Sequence, residues 1–69
     1  MTTDVRHAVA EAVAEELRRG GRDASWLSDR TGIAGAALRS KLAGESDFTV
    51  ADLGDIAQAL GISVARLTP

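Results

Sequence analysis

Six of the eight basic side chains in this 69-residue chain fall between residues 18 and 44: Arg18, Arg19, Arg22, Arg30, Arg39 and Lys41. Only Asp23 and Asp29 oppose them in that stretch. Cations so placed have two uses, as a solvated helix surface or as partners for an anion such as phosphate. The middle third carries +4, while residues 1–17 and 45–69 carry −3 each, so a formally acidic chain of net charge −2 holds a basic centre. Other chemistry lacks its residues. Cysteine is absent and His7 is the single histidine, so neither a disulfide nor a metal site is expected. No grouping of nucleophile, base and oxyanion donor stands out, and the expectation is a protein that is not an enzyme and uses no cofactor.

The elements that must position these cations are short. Of the 31 apolar residues 13 are alanine, which leaves 18 larger apolar side chains for a core. That suits one domain over 1–69, small enough that helix packing or self-association must supply the stability. Alanine richness, with five valines and three isoleucines, favours helix over sheet. No apolar run is as long as a membrane span. Met1-Thr2-Thr3-Asp4 lacks the basic start and apolar stretch of a signal peptide, which predicts a cytoplasmic protein.

Periodicity predicts about five helices. Val5, Ala8, Val9, Ala12, Val13 and Leu17 draw one stripe on a helix over 3–19, capped by Thr3 or Asp4 and ended by Gly20-Gly21. Asp23 caps a second helix with Leu27 inward, closed by Gly32. Ala34 or Gly35 opens a third, with Leu38 and Leu42 on one face and Gly44 as its stop. A link this short between the second and third helices forces a steep crossing and fits a helix-turn-helix over about 24–43. Thr49-Val50-Ala51-Asp52 reads as a capping box, with Phe48 placed to staple onto Leu53. The fourth stripe is Val50, Leu53, Ile56, Ala57 and Leu60, ending at Gly61; Ser63 then caps a last turn, Val64 to Leu67.

The run Asp23 to Ile33, with Leu38, Leu42, Gly44, Phe48-Thr49 and the segment Ile56-Ala57-Gln58-Ala59-Leu60-Gly61-Ile62, resembles the lambda-repressor-like (XRE) helix-turn-helix family. The likeness is greatest to small actinobacterial and phage regulators, immunity repressors among them. It implies an all-α, compact bundle of about five short helices whose third helix, Gly35 to Ala43 here, lies in the DNA major groove. It further implies that Ser28 is the small residue allowing close helix approach, that Gly32 is the turn glycine, and that Leu27, Ile33, Leu38 and Leu42 are core.

At 100° per residue, the side chains of the third helix pointing away from Leu38 and Leu42 are Ser40, Ala36, Ala43 and Ala37, with Arg39 on one flank. The expected base-edge set is Arg39, Ser40, Ala36, Gly35 and Ala37. Arg39 is the one able to grip guanine O6 and N7 together, worth roughly 1–3 kcal/mol of discrimination. The expected phosphate set is Arg22, Ser25, Lys41 and Arg19, although Arg18, Arg19 and Arg22 also suit the dipole at the end of the first helix. Trp26 reads chiefly as a cover for the small core, with groove or partner contact as the other use, and His7 as an exposed side chain. The chain departs from the family at Ala24, Gly35, Ala36 and Ala37, where polar residues are usual, and at Ala34, which replaces a serine cap. Glu45 and Asp47 add acid to a loop that often approaches phosphate.

The function expected is a sequence-specific DNA-binding transcriptional regulator of the phage-repressor kind, bound to a palindromic operator in double-stranded DNA. One copy reads too few bases, so a homodimer is expected, joined through Ile62, Val64 and Leu67 or with those residues packed inward. The alternative is a protein-binding helical adaptor, antirepressor or antitoxin-like, that keeps the fold without strong DNA binding.

Overall fold

The computed structural model describes residues 5–68, and among these all regular structure is helical: α1 (Val5–Arg19), α2 (Ala24–Thr31), α3 (Gly35–Leu42), α4 (Val50–Leu60) and a one-turn 3₁₀ helix, Val64–Leu67. The expected fifth helix is thus a single 3₁₀ turn. It closes by an i→i+3 bond, Arg66 N–H donating to the Ser63 carbonyl at 3.0 Å, while the Ser63 hydroxyl accepts from Ala65 N–H at 3.2 Å. The expected caps Thr3 and Asp4 lie outside the described residues.

Every segment sends at least one side chain to a common centre. Val9, Val13 and Leu17 come from α1, Leu27 from α2, Leu38 from α3, Ile56 and Ala57 from α4, and Leu67 from the 3₁₀ turn. Ile33, Leu42, Phe48, Leu53, Leu60 and Ile62 close over them, half-buried. Two ends of the expected stripes differ. On α1 the buried line passes through Val9, Ala10, Val13 and Leu17, which puts Val5 about 95° from its centre and leaves it 61% exposed. Val50, in the first turn of α4 before that helix meets the core, is 89% exposed. Of the three residues expected at a pairing surface, Leu67 is fully buried and takes no part in one; Val64 is exposed and Ile62 is half-buried.

The joint between α2 and α3 is three residues, Gly32-Ile33-Ala34. Gly32 has φ +79°, a left-handed value that a β-carbon disfavours, and its N–H returns to the Ser28 carbonyl at 2.9 Å. Two hydroxyls fasten the turn. Ser28 Oγ donates to the Ile33 carbonyl at 2.6 Å, while Thr31 Oγ1 donates to the Leu27 carbonyl at 2.8 Å and accepts from Ile33 N–H at 3.2 Å. The start of α4 is equally well specified: Thr49 Oγ1 accepts from Asp52 N–H at 3.0 Å and the Asp52 carboxylate accepts from Thr49 N–H at 2.9 Å.

Burial separates two substitutions of similar chemistry. Leu38→Ala, at a site with no solvent exposure, is expected to cost about 2–5 kcal/mol, most or all of the stability of so small a domain. Val50→Ala is expected to stay within about 0.5 kcal/mol. Urea denaturation followed by circular dichroism checks both; equal losses would contradict the core described here.

Candidate nucleic-acid interface

The outer surface of α3 is made of small groups. Ala36, Ala37 and Ala43 are exposed, whereas Ser40 is half-buried because the chain after α3 folds back, Glu45 N–H donating to the Ser40 carbonyl at 2.9 Å. Ala34 precedes the helix with φ −56° and ψ +139° and offers no side-chain acceptor to its first N–H groups. Arg39 is exposed and makes no ion pair with the described residues. Its guanidinium runs back toward the start of α3, since a β-carbon placed on Gly35 would lie 3.7 Å from Arg39 Nη2. There it borders a shallow crevice of about 130 Å³ between α2 and α3, shared with Ser25, Ser28, Asp29 and Gly35. Arg39, Gly35 and Ser25 are therefore brought together, with Ala36 and Ala37 on the adjoining open surface.

Lys41 is not free for the phosphate contact expected of it. Its ammonium is paired with the Asp52 carboxylate, both side chains only 16% exposed. The reason is tertiary: Lys41 lies on a flank of α3, and its flexible stem brings the ammonium to the first turn of α4. Asp52 thus serves the capping box and the ion pair at once. Burial pushes its carboxyl up, but the hydrogen bond from Lys41, those at Thr49 and the Lys41 charge outweigh it, and the group sits below the ordinary carboxylate value.

The remaining expected phosphate contacts lie on the other flank of α2. Arg19 is 3.7 Å from Glu15 and 4.0 Å from Glu16, and Arg18 is paired with Glu15. The Arg22 guanidinium lies over the Trp26 ring, 4.7 Å from its centroid, and Arg30 approaches the same ring at 5.2 Å. Trp26 packs half-buried against the core, as expected, yet its indole N–H is buried without an acceptor, a cost of about 1–3 kcal/mol. His7 is exposed and 3.2 Å from Glu11. It also borders the close approach at Gly44 (φ +81°), where an added β-carbon would meet His7 Nδ1 at 3.3 Å. The acidic loop is tied down in part, with Arg6 Nε donating to Asp47 at 2.6 Å.

Among the described residues no group of three or more acidic or histidine side chains could hold a metal ion, and no helix is long and apolar enough to cross a membrane. The Lys41–Asp52 pair escaped sequence reasoning because nothing in a spacing of eleven signals it. The ladder Arg22, Trp26, Arg30 carried a signal, its spacing of four, that went unread. No protein-family model matches the chain, and comparison with curated proteins and with solved structures gives no match.

Two stability measurements follow from these local arrangements. Because the folded pKa of Asp52 is lowered, its contribution to stability is present above the unfolded carboxylate value, near 4, and is lost as pH falls through the lower folded value. Asp52→Asn should therefore destabilise the protein at pH 7 and flatten the acid limb of stability against pH; an unchanged acid limb would show that the pair contributes nothing. Ala34→Ser supplies the missing acceptor and should raise stability by about 0.5–1 kcal/mol, read as a higher thermal midpoint.

Proposed function

We propose that the chain is a sequence-specific DNA-binding transcriptional regulator of the phage-repressor kind, with α2 and α3 acting as a helix-turn-helix and α3 entering the major groove. The observation that carries this reading is the pairing of an alanine surface, Ala36 and Ala37, with Arg39, which has no ion pair among the described residues and reaches back to the uncapped start of the same helix. Methyl groups let the helix backbone come close to the floor of a groove about 12 Å wide, where they meet thymine methyls. In this reading Arg39 takes a guanine, Gly35 allows close backbone approach, and Ser25 bonds a phosphate from the first turn of α2. Ser40, half-covered, contributes less than its angular position suggested.

Lys41 is assigned to the α3–α4 joint, and Arg19 and Arg22 face away from Arg39. The phosphate set beside α3 is accordingly small, which places the weight of recognition on two copies bound to a palindrome. Two copies on such a site would set their α3 helices one turn, about 34 Å, apart. Val64 remains as an exposed apolar residue for pairing.

The exposed methyl surface of α3 also favours a second reading, a protein-binding adaptor that packs Ala36, Ala37 and Ala43 against another helix. One experiment separates the two. Selection from random double-stranded DNA should enrich a palindromic motif, with affinity falling steeply as salt rises. Arg39→Ala should then weaken the selected site roughly 5- to 150-fold, and random DNA far less. Absence of any enriched motif would overturn the reading in favour of the adaptor, and equal loss on selected and random DNA would overturn the assignment of Arg39 to a base.

A further inference from the structure

A groove of about 360 Å³ runs between the end of α1, the end of α4 and the start of α2. Trp26, Leu60 and Ile62 line it, and Arg19, Arg22 and Arg66 stand around it. It lies on the other flank of α2 from Arg39: Trp26 and Arg30 are each about 100° further round that helix than Ser25 and Asp29. We propose that this groove docks an acidic segment of another protein, which seats one large apolar side chain against Trp26, Leu60 and Ile62 and sets its carboxylates on the arginines. The inference does not rest on the DNA reading, since the occupant leaves α3 uncovered.

The arginines are arranged for such a partner. Glu16, 12% exposed, is already committed between Arg66 at 3.3 Å and Arg19 at 4.0 Å, and so fixes two cations beside the groove. Arg22 has no acidic partner among the described residues; it rests on the indole face, an arrangement that leaves its charge and N–H groups able to meet a carboxylate. Among the lining side chains three guanidiniums stand against one carboxylate, Glu16, with Glu15 beside Arg19 just outside the lining, so the groove keeps a positive surplus centred on Arg22 and Arg66.

Charge also argues against the other occupants. A second copy whose two-fold axis passed through the groove would set these arginines against the same arginines, a repulsive arrangement. A nucleic-acid strand would meet the Glu16 carboxylate and an apolar floor without the stack of open rings that single strands use. The volume is at the small end of ligand pockets, enough for one anchoring side chain and its flanking backbone.

The test is selection of displayed twelve-residue peptides on the full chain. Enriched peptides should share at least two acidic residues around one large apolar residue, and should shift the emission of Trp26, the single tryptophan. Their affinity should fall about ten-fold or more for the Arg22→Gln/Arg66→Gln protein, and likewise when their acids become Asn and Gln. Circular dichroism establishes that the double variant is folded; should it unfold, the Asn/Gln peptide series on the unaltered protein decides alone. No enrichment, a neutral or basic consensus, or equal binding to the double variant would overturn the proposal. So would a dimer seen by sedimentation and abolished by that variant, or displacement of the peptide by random duplex DNA.

Discussion

Leu27 and Leu38 are both fully buried, and they stand on helices separated by only three residues. Satisfying both at once leaves little choice in how α2 and α3 cross, because a short joint cannot absorb a change of angle and still keep each leucine in the same small centre. The rest follows from that crossing. It sets which face of α3 is outward and which flank meets α4, and it separates the Arg39 side of α2 from the Trp26 side. The hydroxyls of Ser28 and Thr31 hold the joint from within by taking up the polar groups that a tight turn would otherwise leave open.

With so few large apolar side chains, polar links fasten the periphery. Asp52 is the clearest case, since one carboxylate defines where α4 begins and how the end of α3 approaches it. Arg6 and Asp47 join the start of α1 to the loop before α4, across 41 positions of sequence. Exposed pairs of this kind contribute little individually. The Lys41–Asp52 link differs because both side chains are largely covered and the carboxylate also accepts from the backbone of Thr49.

Much of the fold was legible because helix boundaries are written locally. Gly32 and Gly61 end their helices in left-handed conformations, Asp23 and Thr49 accept from backbone N–H groups as caps, and each of these needs only its near neighbours. Val5 and Val50 depart from their stripes, and Ala10 is buried outside the expected one, because periodicity gives the direction of a stripe without showing where along it the neighbouring helices lie. The candidate interface was legible in part. The outward alanines and Arg39 follow from the angle per residue, but the fates of Lys41, Arg19 and Arg22 were settled by Asp52, Glu15, Glu16 and Trp26, and the Lys41–Asp52 contact crosses from α3 to α4. The formal charge of the middle third consequently overstates what stands beside α3.

The methyl surface of α3 has an entropic side. Alanine has no rotamers to lose, so a partner docking on Ala36, Ala37 and Ala43 immobilises almost nothing there, and only Arg39 gives up side-chain freedom. Such a surface is close to its bound shape before contact. Discrimination between partners then comes from how well their contours accept a nearly bare helix, with a single long side chain to reject those that fit in outline alone.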